Sequence, residues 1–249
     1  MNAGGGQTGC RRAGADLELT STDRDWAGVT EAWAASAAGL TAGQYVRIHE
    51  TFTSPGKTTA TDDFGERWDI APAGSVKHRT AGGVLWRGGV MVFEDSGAWI
   101  DNYALWKGPG LIMDGAAEKS ATVYRLLQYV RPAPSAFNQI YVALFDTFPT
   151  PTKYIAFEHN EALSATKCVV QLSGSADVVT TFPIASLSSA QRDIAFIQNG
   201  LTWRVYVDRS LVATLTSNGT NGDLKPFIYS NRGDLLVDDV LLLVNGGLA

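Results

Sequence analysis

From Gly200 to Val244 the chain reads as three successive strands, and no other stretch constrains the fold class as tightly. Leu201, Trp203, Val205 and Val207 share one parity, and Thr202, Arg204, Tyr206 and Asp208 the other. A period of two is the mark of a half-buried antiparallel strand. Asp208, Arg209 and Ser210 then reverse the chain, and Leu211, Ala213 and Leu215 resume the alternation. The next loop, Asn218 to Asp223, is built of Gly and Asn residues that tolerate positive φ. A last apolar run to Val244 supplies the closing strand.

The same texture fills the chain from residue 108 onward. Strand runs are expected at Thr122–Val130, Asn138–Phe145, Tyr154–Glu158, Thr166–Leu172, Asp177–Phe182 and Asp193–Gln198. Roughly 12 to 14 short strands with a turn after each suit a two-sheet jelly roll. Pro132, Pro134, Pro149 and Pro151 fall between runs, where no ladder donor is needed. Residues 40–107 are expected to form a smaller β-rich segment, an antiparallel meander punctuated by Gly. Its strands are Gly43–His49, Glu66–Ile70 and pieces of Gly83–Phe93, with a polar loop from Thr51 to Asp63. Residues 1–39 divide into a Gly-rich tether and one helix near residues 23–38. Ser21 to Asp25 offer caps, an Ala-rich run follows, and Gly39 stops it.

The phrase W-x-V-Y-V-D-x-x-L-V-A-T, followed by L-x-P-F-I and a closing L-x-V-D-D-V-L-L, is similar to the end of concanavalin A-like (laminin G-like) jelly-roll domains. Within that group it most resembles modules of tailed-phage virion proteins. The likeness spans residues 120–245, and it departs from the pattern at Arg209, where a Gly is common, so a different turn type is expected there. The order G-x-Y-V-R-I, polar loop, R-W-D, then G-G and a short strand resembles a β-segment that precedes jelly rolls in phage tail and fibre proteins. The resemblance implies an all-β fold, a concanavalin A-like sandwich with a short N-terminal helix and a small β-meander. It also implies a fibre, spike or decoration subunit of a virion, assembled in the host cytoplasm and contacting other virion proteins. A lectin or glycoside hydrolase on the same fold is the alternative, because one fold hosts many functions.

Charge and cysteine usage narrow the classes further. A formal net charge of −5 argues against a nucleic-acid binder, which needs a basic surface to meet phosphates. Cys10 and Cys168 are far apart, so no disulfide framework is expected, and Cys168 reads as a small buried apolar residue. No apolar run approaches the ~20 residues of a membrane span, and no membrane insertion is expected.

Chemical motifs are sparse. Laminarinase-like enzymes on this fold carry two carboxylates on one strand as E-x-D-x-x-E, and that triplet is absent. The nearest pairing is Glu158-His159-Asn160-Glu161, placed at a strand end where its charges would be solvated. A non-enzymatic chain is therefore expected. Asp62, Asp63, Glu66, Asp238 and Asp239 are acidic, but lack the ligand spacing of a calcium loop. His49, His78 and His159 lack zinc spacing. Neither a metal nor a cofactor is expected, since no phosphate loop, dinucleotide fingerprint or G-x-S-x-G is present.

Aromatic placement is the remaining signal. Six of the seven tryptophans precede residue 107, so the first part of the chain holds the candidate contacts. Trp99, Asp101, Asn102, Tyr103 and Trp106 mix rings with amide and carboxylate, the pairing that sugar sites use, and form the candidate for a host-surface glycan. Packing in a core or interface is the competing reading. Trp26, Val29 and Trp33 fall on one helical face that packs on the β-domain or on a sister chain, and with Arg11 and Arg12 they form the candidate contact to sister chains, as a trimer, or to the particle.

Overall fold

The computed structural model describes residues 10–13, 16–19, 26–50, 68–71, 76–78, 85–87, 91–93, 101–107, 112–113, 115–130, 139–147, 149–160, 167–181, 191–219, 223–231 and 234–245. In chain order the elements are β1 (Cys10–Ala13), β2 (Asp16–Leu19), α1 (Trp26–Ala38), β3 (Tyr45–Glu50), β4 (Trp68–Ala71), β5 (Val76–His78) and β6 (Leu85–Arg87). Then come β7 (Met91–Phe93), β8 (Asp101–Trp106), β9 (Ile112–Met113), β10 (Lys119–Val130), β11 (Gln139–Phe145), β12 (Tyr154–Asn160) and β13 (Lys167–Leu172). The last six are β14 (Val178–Thr181), β15 (Arg192–Asn199), β16 (Thr202–Val207), β17 (Ser210–Thr216), β18 (Asp223–Asn231) and β19 (Asp234–Asn245).

Two large antiparallel sheets face each other. Sheet I runs β17-β16-β15-β10-β19-β7-β5, with β3 also on β19, and sheet II runs β14-β13-β12-β11-β18-β8-β4, with β9 also on β18. The chain is a jelly-roll β-sandwich of the concanavalin A-like class, as the alternating runs predict. Strand parity explains the core. Val123 and Arg125 face one way from β10, while Tyr124 and Leu126 join Phe196, Trp203, Leu242 and the sheet II residues Val142, Phe157 and Ile228 in the space between the sheets. Fully buried Tyr124 also ties the layers together, its hydroxyl donating to the Ala143 carbonyl of the opposite sheet at 2.6 Å.

Local chemistry sets the ends of several elements. Helix α1 stops where Gly39 takes φ 68°, with Leu40 N–H on the Ala35 carbonyl (2.8 Å) and Gly39 N–H on the Ser36 carbonyl (3.1 Å). That pair of bonds is the Schellman closure, and a residue without Cβ adopts it with least strain. Between β16 and β17, Val207 pairs with Ser210, so Asp208 and Arg209 alone make the turn, at φ 48° and 65°. Two consecutive positive φ values define the type I′ geometry that matches strand twist and that Asp-Gly pairs favour, so the different turn expected at Arg209 is not found: the Arg takes the conformation a Gly would.

Three expectations are revised by the pairing. The described strands of the 40–107 segment do not stand apart from 108–249: β3 and β7 pair with β19 in sheet I, and β8 pairs with β18 in sheet II. Alternation along a strand specifies its faces but not its partner, and the partners lie more than a hundred residues away. The Gly-rich lead-in is not wholly a tether, because β1 pairs with β2 and β2 pairs in parallel with β6. Helix α1 lies on the outer face of sheet I, burying Trp26, Thr30, Ala34, Ala35 and Ala38 against Ala121, Val123, Ala195, Ile197, Leu241 and Leu243. The buried stripe thus follows Trp26-Thr30-Ala34-Ala38, and Val29 is 53% exposed.

Candidate functional site

The outer face of sheet II carries the most suggestive arrangement of side chains. Two of its central strands, β11 and β18, place aliphatic residues toward the core and aromatic ones outward. In β11, Ile140, Val142 and Leu144 line the core, so Tyr141 and Phe145 face out; in β18, Ile228 lines it, and Phe227 and Tyr229 face out. Tyr154 and Glu158 of β12 and Tyr103 and Leu105 of β8 share that outer parity. Register then aligns them. Glu158 pairs with Tyr141, Tyr141 with Tyr229, and Tyr229 with Tyr103, one continuous rung across four strands. At an interstrand spacing near 4.8 Å this rung spans roughly 15 Å.

The neighbouring rung holds Leu105, Phe227, Ala143 and Ala156, and the one beyond holds Lys225, Phe145 and Tyr154. On the other side, Asp101, Asn231, Gln139 and Asn160 occupy a rung whose positions are all amide or carboxylate residues. Phe227, at 1% exposure, is stacked between Phe145 (4.3 Å, 15°) and Tyr103 (5.9 Å, 26°), so its ring faces are already covered. Tyr141 meets Tyr229 edge-on at 5.4 Å, and Tyr154 meets Phe145 at 5.9 Å. Tyr103, Tyr141 and Tyr154 keep part of their surface open.

Glu158 ends the tyrosine rung. It is 6% exposed, and the Tyr141 hydroxyl donates a hydrogen bond to its carboxylate. Burial raises the Tyr141 phenol well above its ordinary range; the Glu158 charge and that hydrogen bond push the same way. Tyr141 is thus a held proton donor and Glu158 an acceptor beside aromatic surface. Such a face offers ring planes for C–H stacking and polar atoms for hydroxyls, the chemistry of sugar recognition.

Of the candidate glycan contacts named from sequence, Tyr103 alone is placed in this array; Glu158, which sequence set aside as solvated at a strand end, is buried in it. Trp106 has the opposite parity and packs edge-on to buried Trp68 at 5.4 Å, facing the core. Trp99 lies outside the described residues, and of Asp101 and Asn102 the strand positions alone are described. Tyr141, Phe145, Tyr154, Phe227, Tyr229 and the outward placement of Glu158 escaped sequence reasoning. One signal could have found part of them: in β11 and β18 aromatic residues recur on the parity opposite the aliphatic ones. Glu161, Asp62, Asp63 and Glu66 lie outside the described residues, and Arg11, Arg12 and His78 are described as strand positions alone. His159 is fully buried.

On the far side of the molecule a second polar cluster sits beneath α1. The Trp26 indole N–H is shared between both carboxylate oxygens of Asp193 (2.9 and 3.1 Å), and the Arg125 guanidinium lies 5.2 Å from the Trp26 ring. In the ladder between β10 and β19 the register steps from Arg125↔Asp239 to Leu126↔Val237, leaving Asp238 as the extra residue of a bulge. Asp238 approaches Arg125 Nε at 3.4 Å, and Asp239 binds His49 Nε2 at 2.6 Å. These two aspartates are engaged in a structural network. Trp33 likewise packs within the chain, edge-on to Tyr206 at 5.4 Å with the Arg209 guanidinium 5.6 Å from its ring. Of the expected helical contact face, Val29 alone stands open.

No protein-family model matches this chain, and no curated protein matches it by sequence. Solved structures match by fold. The endo-1,3-beta-glucanase from Streptomyces sioyaensis superposes with TM-score 0.59 at 12% identity, covering 84% of this chain and 99% of that one. The Crh5 transglycosylase in complex with NAG gives 0.53 at 13% identity, covering 82% and 85%. A Bacillus subtilis protein of unknown function with a galectin-like fold gives 0.53 at 9% identity, covering 80% and 96%. At these identities the likeness establishes the concanavalin A-like jelly roll and leaves the chemistry to the residues. Nothing in these neighbours speaks of a virion, so that setting rests on the sequence phrases alone.

The expectation of a non-enzymatic chain is corrected. It rested on a missing linear triplet, whereas fold neighbours over four-fifths of this chain include a glucanase and a transglycosylase. A linear motif is a poor test on a sheet, because the ladder brings Tyr141 and Glu158 side by side from different strands.

Proposed function

We propose that this chain is a carbohydrate-active protein that takes a glycan across the outer face of sheet II. The observation that carries this reading is the rung Tyr103–Tyr229–Tyr141–Glu158, which sets open tyrosine surface beside a hydrogen-bonding carboxylate. The fold supports it, since the neighbours include a glucanase and a transglycosylase captured with NAG. A glycan lying along the rung would stack on Tyr103 and Tyr141 and direct hydroxyls to Glu158.

Glycoside cleavage by the same face is the second reading, because the fold neighbours include a glucanase. Presented on a virion, the face would serve adhesion to a host-surface glycan; its chemistry does not depend on that setting.

Affinity electrophoresis of the full chain in gels containing laminarin, a neutral β-1,3-glucan, tests the binding. Retardation is expected, and Tyr103→Ala or Tyr141→Ala should weaken it by about ten-fold, the worth of one stacked ring. Migration unchanged by any polysaccharide tried would overturn the reading. Reducing-end release from laminarin, lost in Glu158→Gln, separates cleavage from binding alone.

A further inference from the structure

We propose that the outer face of sheet I beside α1 is a second binding surface, suited to a carboxylate-bearing glycan and separate from the sheet II face. Helix α1 divides this side of the sheet into two flanks. On one, Glu31 accepts from the Tyr45 hydroxyl at 2.8 Å and from Arg47 Nε at 2.7 Å, so the arginine there is paired. On the other, β16 turns Trp203, Val205 and Val207 to the core, which leaves Arg204 and Tyr206 on the outer side. Tyr206 meets Trp33 of α1 edge-on at 5.4 Å, and the Arg209 guanidinium lies 5.6 Å from the same Trp33 ring. Two rings and two cations thus share one flank.

Arg209 is held there against its own backbone preference. Its φ of 65° strains an L-residue, whereas glycine would adopt it freely. Strain that persists at an exposed turn points to a use for the side chain. Contact with Trp33 restrains the guanidinium without supplying an acceptor for its N–H donors. No carboxylate among the described residues pairs with Arg204 or Arg209. Asp208, next in the turn, is bound by Arg192 at 2.5 Å, and Asp193 accepts the Trp26 indole N–H at 2.9 Å. Lys119 donates to the Gly39 carbonyl at 3.0 Å, past the C-terminal end of the helix. Val29 and Leu211, two of the large apolar side chains left exposed, border the cluster: Val29 lies one turn before Trp33, and Leu211 pairs with Tyr206. A uronate polymer answers each feature, because every sugar brings C–H groups for rings and aliphatic carbons together with a carboxylate for a guanidinium. An acidic peptide brings the carboxylates on flexible stems. With a formal net charge of −5 the chain exerts no long-range pull on a polyanion, so the attraction is local to this flank.

Affinity electrophoresis of the full chain at low salt, in gels containing alginate, a polyuronate, tests the surface. Retardation is expected, weakened by about ten-fold in Arg209→Gly and in Arg204→Gln, and weakened in the wild type when salt is raised to about 0.5 M. Arg209→Gly relieves the positive φ and so keeps the fold, and its migration in laminarin should equal that of the wild type. Tyr103→Ala, on sheet II, should leave the alginate result unchanged. The proposal is overturned by an absence of retardation in alginate, by retardation unaltered in both arginine variants, or by its loss in Tyr103→Ala. Poly-glutamate bound as tightly as alginate would also overturn it, by assigning the flank to acidic peptides. Laminarin binding, which reports on sheet II, stands or falls separately from all of these outcomes.

Discussion

Asp193 shows how one side chain links burial, packing and pH. Burial pushes its carboxyl up to about 6, against the lowering pull of the Trp26 indole bond and the nearby Arg125 charge. A carboxylate whose folded value exceeds its unfolded one binds protons more tightly when folded, so its contribution to stability is greatest below the unfolded value. That contribution is lost as pH rises from about 4 through 6. Asp193→Asn copies the protonated form and keeps an oxygen for Trp26. The variant should match the wild type near pH 4 and exceed it at pH 7.5 by on the order of 2 kcal/mol in urea unfolding. A wild type more stable than the variant at pH 7.5 would show that the charge is welcome there. None of this was legible in the sequence, where Asp193 reads as an ordinary start of a strand.

Among the elements, the β16–β17 hairpin carries a visible conflict between backbone and side chain. Arg209 sits at φ 65°, a conformation that costs an L-residue about 1 kcal/mol or more, and its guanidinium lies over Trp33 of α1. Arg209→Ala keeps the strain and removes the contact, whereas Arg209→Gly removes both. The Gly variant should therefore be more stable than the Ala variant by about 1 kcal/mol, read as a shift of the urea midpoint. The reverse order would mean that the turn relaxes out of positive φ in solution. Helix α1 was legible in extent, since its Ala-rich run and Gly39 end it where the structure does. The face it buries was not legible: Trp26, Val29 and Trp33 share a side by spacing, yet the docked helix follows small Ala residues into close contact with sheet I and leaves Val29 outside.

At the scale of the whole molecule, β19 is the organising strand. One edge pairs along its length with β10, and the other is shared by β7 at Leu235–Val237 and β3 at Val240–Asn245. Residues from the first half of the chain thus complete both sheets around strands from the second half. Expressed alone, residues 108–249 would leave an edge of β18 and an edge of β19 unpaired and core positions open. That fragment is expected to show no cooperative thermal transition by circular dichroism, while the full chain unfolds in one. A sharp transition with dispersed amide resonances from the fragment would restore an independent jelly roll.

The sequence by itself determined the strands and their faces, because a period of two is written residue by residue and needs no partner to be read. It determined where α1 stops for the same local reason, and it determined that the molecule would be a two-sheet sandwich, because that many half-apolar strands have few other ways to bury one face. Which strand lies beside which was decided by tertiary structure alone. Tyr103, Tyr229, Tyr141 and Glu158 come from four strands spread over more than a hundred residues, and register across the ladder is what turns four separate outward residues into one surface. Pairing is a choice among many near-equivalent edges, settled by how all the side chains pack at once, and no local stretch of the chain carries that information.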